Sequence, residues 1–195
     1  VGAAHAVSDA LVGFLGSGIG AGLVLRGRLY EGAGGLAGEI GHVKVRPGGR
    51  ICGCGERGCL EAYAGGHNVT ARLQEMIEEG KGQAVLEAAG GDPLRVGPQA
   101  LHLAAERDDP FALDFLEEMA SLLGLVIGNA ITLLNPRKLV LGGGRFHGIS
   151  RLRPLVEREI HKVAGRAHAK ALSISESALE DDAGLVGAAL LALEM

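Results

Sequence analysis

Three cysteines fall within eight residues as Cys52-Gly-Cys54-Gly-Glu-Arg-Gly-Cys59, ten residues after His42, and the chain has no other cysteine. Three thiolates and one imidazole fill the four tetrahedral positions that zinc prefers. An ion held by His42, Cys52, Cys54 and Cys59 has no open position for water, so its expected role is to brace a loop. Gly53, Gly55 and Gly58 alternate with these ligands, as a chain must turn sharply to deliver three sulfurs to one point. The competing reading is a disulfide plus a free thiol. Cys52 and Cys54 are too close in sequence to bridge comfortably, and an odd count leaves one thiol over.

Two carboxylates flank this cluster: Glu39 lies three residues before His42 and Glu61 two after Cys59. A carboxylate accepts charge-assisted hydrogen bonds from two hydroxyls, which suits a sugar, and a site built that way rejects analogues lacking them. The plainer alternative is a pair of solvated surface glutamates. Paired carboxylates also occur in glycoside hydrolysis, but nothing in the pattern singles out an acid with a raised pKa.

Gly16-Ser17-Gly18-Ile19-Gly20 lies between two short apolar runs, Ala10 to Leu15 and Gly22 to Arg26. Strand, glycine turn, strand is neither the Rossmann nor the Walker context. Such a hairpin can point backbone N–H groups at a phosphate, with the Ser17 hydroxyl as a further donor, although many glycine hairpins are turns only. Gly142-Gly143-Gly144 stands where a buried strand, Lys138 to Leu141, gives way to a helix. α/β proteins bind nucleotides at such places, and a tight connection is again the alternative. His5, His67, His102, His147, His161 and His168 show no partner pattern.

The elements that must position these residues alternate between strand and helix. Val43 to Val45 reads as a further strand, and Asn68 or Thr70 as the cap of a helix reaching Glu79. Two short helices broken near Gly90-Gly91-Asp92-Pro93 follow. From Asp109-Pro110 to Leu134, Leu113, Leu116, Met119, Leu123, Val126, Ile127 and Leu133 recur at helical spacing, which predicts a central buried helix ended by Asn135-Pro136. A helix from about Arg151 to Val163, a strand from Ala171 to Ser175 and a helix from Ala183 to Glu194 complete an α/β layer architecture.

Composition agrees with a globular protein: 47% hydrophobic and 22% charged residues over 195 positions allow one good core or two small lobes. The 33 glycines far exceed the usual roughly 7%, and they gather in loops, as a protein that wraps small ligands in backbone requires. A net charge of −4 argues against nucleic-acid binding by this segment. The longest apolar stretch, Leu122 to Leu134, is interrupted by Asn129 and is shorter than the roughly 18 residues of a membrane span. With no visible signal peptide and thiolates that need a reducing compartment, the expected location is the cytoplasm.

The run Leu15-Gly-Ser-Gly18-Ile19-Gly20-Ala-Gly22-Leu23, then Gly32, then Gly38-Glu39-Ile-Gly41-His42, resembles the signature of the ROK family of repressors, open reading frames and kinases. The set His42, Cys52, Cys54, Cys59 and Glu61 is similar to that family's zinc site. The resemblance implies the actin-like ATPase fold of ribonuclease-H-like layers, with this chain (residues 1–195) as its C-terminal lobe carrying the zinc loop 42–61. It further implies Gly16, Ser17, Gly18 and Gly20 as a phosphate loop, and Gly142, Gly143 and Gly144 near an adenosine. Glu39, His42 and Glu61 would surround a hexose, most like glucose. The implied activity is ATP-dependent phosphorylation of that hexose with Mg2+, in a glucokinase-like homodimer, and the alternative is the sugar-sensing domain of a ROK repressor. The family's kinases also carry an Asp-containing phosphate loop and an Asn-Asp pair that supplies the general base. Neither motif occurs in this chain, whose first residue, Val1, stands close to a core strand. The expectation is therefore an inactive C-terminal portion lacking the N-terminal lobe, with no catalytic role for Asp9.

Overall fold

The computed structural model describes residues 2–144, 148–179 and 182–194; Val1 and His147 lie outside them. A five-stranded mixed sheet forms the frame. It comprises β1 (Ala10–Leu15), β2 (Ile19–Leu25), β3 (Arg28–Leu29), β4 (Lys138–Gly142) and β5 (Ser173–Glu176), in the order β3-β2-β1-β4-β5. β1 pairs antiparallel with β2 and parallel with β4, while β4 pairs parallel with β5. The short turn at residues 16–18 forces the first pairing; the parallel ones require helical crossovers. Asp9 ties the edge of this frame together. Its carboxylate takes the Ser8 hydroxyl at 2.5 Å and the Arg26 amide at 3.0 Å, which holds Arg26 in its positive-φ turn at 53°.

Seven helices are described: α1 (Glu61–Ala64), α2 (Gly66–Glu78), α3 (Gln83–Ala88), α4 (Pro98–Glu106), α5 (Pro110–Leu134), α6 (Leu152–Ala171) and α7 (Ala183–Glu194). α5 starts where its sequence says it should: the Asp109 carboxylate accepts the Ala112 amide at 2.9 Å and Pro110 occupies the first turn. It ends at Asn135, left-handed at φ 47°, before Pro136. Leu116, Leu123, Ile127 and Ile131 are fully buried along one stripe and meet Leu11, Leu139 and Leu141 of the sheet in a single core. On another face α5 packs along α6. Gly124 and Gly128 permit that approach, since a Cβ at Gly124 would overlap the Glu159 side chain and lie 2.9 Å from its carbonyl carbon.

Four expectations change. Val43 to Val45 is not a strand; only an isolated bridge joins Lys44 to Cys59, because the segment is drawn into the cysteine loop. α2 begins at Gly66, with Gly65 as its cap; the Thr70 hydroxyl bonds back to the Gly66 carbonyl at 3.2 Å inside the helix. Leu133 projects outward at 84% exposure, and Ile131 is buried in its place. Finally, α6 runs on to Ala171 through a break at Gly165, φ 74°, so β5 starts only at Ser173. Among the described residues no helix is long and apolar enough to cross a membrane.

Candidate metal centre and binding cleft

The cysteine loop is a knot of tight turns. The Cys52 amide donates to Glu56 O at 2.8 Å, Gly55 N to Cys52 O at 2.9 Å, and bridges join Ile51 to Arg57 and Lys44 to Cys59. Gly55 and Gly58 adopt φ of 88° and 83°, which side chains resist, whereas Gly53 sits at ordinary φ in open space. His42 ends a 3-10 turn, Ile40–His42, that carries it to the loop.

One ligand atom from each of His42, Cys52, Cys54 and Cys59 lies within 4.8 Å of all the others. Cys54 and Cys59 Sγ are 3.8 Å apart, and Cys52 Sγ is 3.7 Å from His42 Nδ1. A zinc tetrahedron with ordinary bond lengths has S···S edges of about 3.8 Å and S···N edges of about 3.6 Å. The donor set therefore fits zinc in number, type and size. The disulfide reading fails, since all three cysteines are free.

The thiols of the cluster differ in their surroundings. Burial pushes the Cys52 thiol up to about 11, while the Glu56 amide holds Cys54 below its usual range. The Lys44 ammonium lies 3.1 Å from Cys59 Sγ, and that hydrogen bond raises its own pKa. Three thiolates on a dication would leave one net negative charge, which Lys44 is placed to offset. Cys52 must lose its proton for the metal to bind.

The two carboxylates flank this cluster on different sides. Glu39 Oε2 is 3.7 Å from His42 Nε2, so one ring nitrogen of His42 faces Cys52 and the other faces Glu39. Glu61, at the start of α1, places Oε1 3.9 Å from Cys52 Sγ while its Oε2 accepts the Ile19 amide at 2.7 Å. Glu39 is 56% exposed, but Glu61 is half-buried and committed to the β1–β2 hairpin.

That hairpin borders a cleft of about 410 Å³ lined by Phe14, Gly16, Ser17, Pro98, Gln99, Gly144, Gly148 and Ile149. The turn's carbonyls are held from behind, Gly66 N donating to Gly16 O and His67 N to Ser17 O, both at 3.2 Å. Of the seven residues expected around a nucleotide, Gly16, Ser17 and Gly144 face the cleft. Gly18 abuts Glu61, Gly20 pairs with Phe14 in the sheet, Gly142 abuts Ser177 and Gly143 lies against Leu15. The bareness of Gly18, Gly142 and Gly143 serves close packing behind the cleft wall, whereas a Cβ at Gly20 would meet open space.

The match to the ROK family model extends over residues 1–195. The chain belongs to the ROK family. A glucokinase from Halalkalibacterium halodurans is 34% identical over 188 residues, covering 95% of this ROK chain and 56% of the relative. The N-acetylglucosamine repressor of Escherichia coli O157:H7 is 31% identical over 191 residues, covering 97% of the chain and 45% of the repressor. The chain thus spans about half the length of the curated relatives it matches. A ROK glucokinase from Streptomyces griseus, solved with glucose and AMPPNP, superposes with a TM-score of 0.83 at 28% identity, covering 97% of this chain and 62% of that one. The fold is accordingly that of the ROK kinases, the actin-like ATPase fold, and both glucokinases and an N-acetylglucosamine repressor stand among the relatives.

Sequence reasoning missed the residues that hold this site from behind. Arg72 is buried beneath α1 and paired with Glu118 of α5, and Pro98, Gln99 and Ile149 line the cleft. A signal for Arg72 was available: it interrupts the apolar stripe of α2 beside Val69 and Leu73, where a solvated arginine does not belong.

Proposed function

We propose that this chain is the C-terminal lobe of an ATP-dependent hexose kinase of the glucokinase type, with glucose as the first candidate sugar. The observation that carries the reading is that Glu61 touches the cysteine cluster with one oxygen and the glycine hairpin with the other. A sugar held at Glu39, His42 and Glu61 would thereby lie beside phosphates held at the Gly16 to Gly20 turn, chiefly by Gly16 and Ser17, with Gly144 of the Gly142 to Gly144 run toward the adenosine. Zinc at His42, Cys52, Cys54 and Cys59 would brace the loop and supply no Lewis acid to the reaction, all four positions being taken.

In such a reaction a sugar hydroxyl attacks the γ-phosphorus of ATP, its proton leaves to a base, and ADP departs. The enzyme's share is positioning and charge stabilisation. Glu39 and Glu61 would accept sugar hydroxyls, His42 would orient the ring, and the hairpin amides with Ser17 would steady phosphate oxygens; Mg2+ would arrive with the nucleotide. The base aspartate and the Asp-containing phosphate loop have no counterpart in these 195 residues, so the chain alone is proposed to be inactive, and to work in the cytoplasm as part of a homodimeric protein.

The second reading, a sugar-sensing repressor domain, is favoured by the 31% identity to the N-acetylglucosamine repressor. The open glycine-lined cleft favours the kinase, because a sensor has no need of a nucleotide site. Incubation of the full-length protein with glucose and MgATP tests this. ADP formation dependent on glucose is expected; glucose binding without turnover would support the repressor, and neither binding nor turnover with any hexose would end both readings.

A further inference from the structure

We propose that Arg72 is a positioning residue for Glu61, acting through the backbone of α1; the proposal rests on the sugar-binding reading of Glu61. α1 is only four residues long, too short to hold its own shape, and most of its carbonyls lie beyond internal partners. One of them is taken by Arg72, whose Nη1 donates to Tyr63 O at 2.6 Å. Arg72 is 6% exposed, the one charged side chain that is buried among the described residues. Its guanidinium lies 4.4 Å from the Phe115 ring centre and 5.7 Å from that of Tyr63. Its second nitrogen pairs with Glu118 of α5.

Glu118 also accepts Arg46 at 2.6 Å, and Arg46 comes from the cysteine loop and lies 5.0 Å over the Tyr63 ring. The Tyr63 hydroxyl accepts the Arg50 amide at 2.8 Å. Tyr63 is thus held at its ring, its hydroxyl and its carbonyl by α2 and by the metal loop, with both anchored to the central helix. Two residues earlier, on the other side of the same turn, Glu61 reaches the Ile19 amide. A shift of about 1 Å at Tyr63 would carry Glu61 off that amide and away from the cluster, a displacement of the size that costs orders of magnitude at a reacting centre.

Stability alone does not account for an arginine here. A buried ion pair seldom outperforms a well-packed apolar residue of the same volume, whereas a guanidinium fork can fix a carbonyl and a carboxylate at once.

A double-mutant cycle in the full-length protein tests the coupling, reading the glucose Kd by calorimetry and the zinc content. Arg72→Met is expected to raise the glucose Kd at least about 10-fold, with one zinc retained. In a Glu61→Ala background the same change is expected to add less than about 2-fold. An unchanged glucose Kd in Arg72→Met, or a further 10-fold loss in the Glu61→Ala background, would overturn the proposal. Should Arg72→Met not fold, Glu118→Gln, which keeps the shape, enters the same cycle under the same criteria. A Glu61→Ala protein that binds glucose as well as wild type overturns the sugar reading of Glu61 itself, and the positioning role with it.

Discussion

The carboxylate of Glu61 accepts the backbone amide of Ile19 at 2.7 Å, joining a residue beside the cysteine cluster to the glycine hairpin 42 positions earlier in the chain. Gly18 makes room for that bond, since a Cβ there would stand 2.5 Å from Glu61 Oε2. Gly18→Ala is therefore expected to displace Glu61 and weaken hexose binding by about 10-fold or more, in line with loss of one charge-assisted hydrogen bond. Calorimetric titration of the full-length variant with glucose checks this; unchanged affinity would separate Glu61 from the sugar.

The metal loop makes a pH prediction for the zinc-free chain. Burial raises the Cys52 thiol from its ordinary 9.0 to about 11. Between those values the unfolded chain has released its proton and the native chain has kept it, so native stability falls as pH rises through that window. With zinc bound, the thiolate is already formed and this loss disappears. Thermal melts from pH 8 to 11, with and without a chelator, should diverge at the alkaline end.

At acid pH the sensitive group is Glu118. Burial pushes its pKa upward, but the hydrogen bond and charge of Arg72, helped by Arg46, outweigh that and hold it below the ordinary carboxylate value. Its contribution is complete above that ordinary value and is lost as pH falls through the lowered native one. Glu118→Gln should cost about 2–3 kcal/mol near neutrality, and its deficit should shrink in acid. Urea melts at pH 7 and pH 3 measure both.

Gly124 tests the packing of α5 on α6. Alanine favours helix by about 1 kcal/mol over glycine, yet a methyl group here would meet the Glu159 side chain and backbone. Overpacking should win, leaving Gly124→Ala less stable by about 1–2 kcal/mol in denaturant melts. A more stable variant would mean that the helices can part at little cost.

The readable parts of the chain are those set by local physics. Asp109-Pro110 and Asn135-Pro136 bracket α5 because caps and proline act within one turn, and the hairpin at residues 16–18 follows from glycine between two apolar runs. The gathering of His42, Cys52, Cys54 and Cys59 was legible because zinc demands few residue types at short spacing, and the structure brings these four together. Val43 to Val45 misled because its strand-like composition is overruled by the loop closing around Cys59. The charge of Arg72 within the apolar stripe of α2 was legible, but its partners, Tyr63, Phe115 and Glu118, are brought to it only by tertiary packing. The packing role of Gly142 and Gly143 likewise depends on Ser177 and Leu15, which no local pattern announces.

Metal analysis combined with X-ray absorption, on protein purified under reducing conditions, bears most directly on the whole account. One zinc per chain is predicted, bound by three sulfurs at about 2.3 Å and one nitrogen at about 2.0 Å. Folded protein without stoichiometric zinc, or a zinc whose coordination includes a water oxygen, would contradict it.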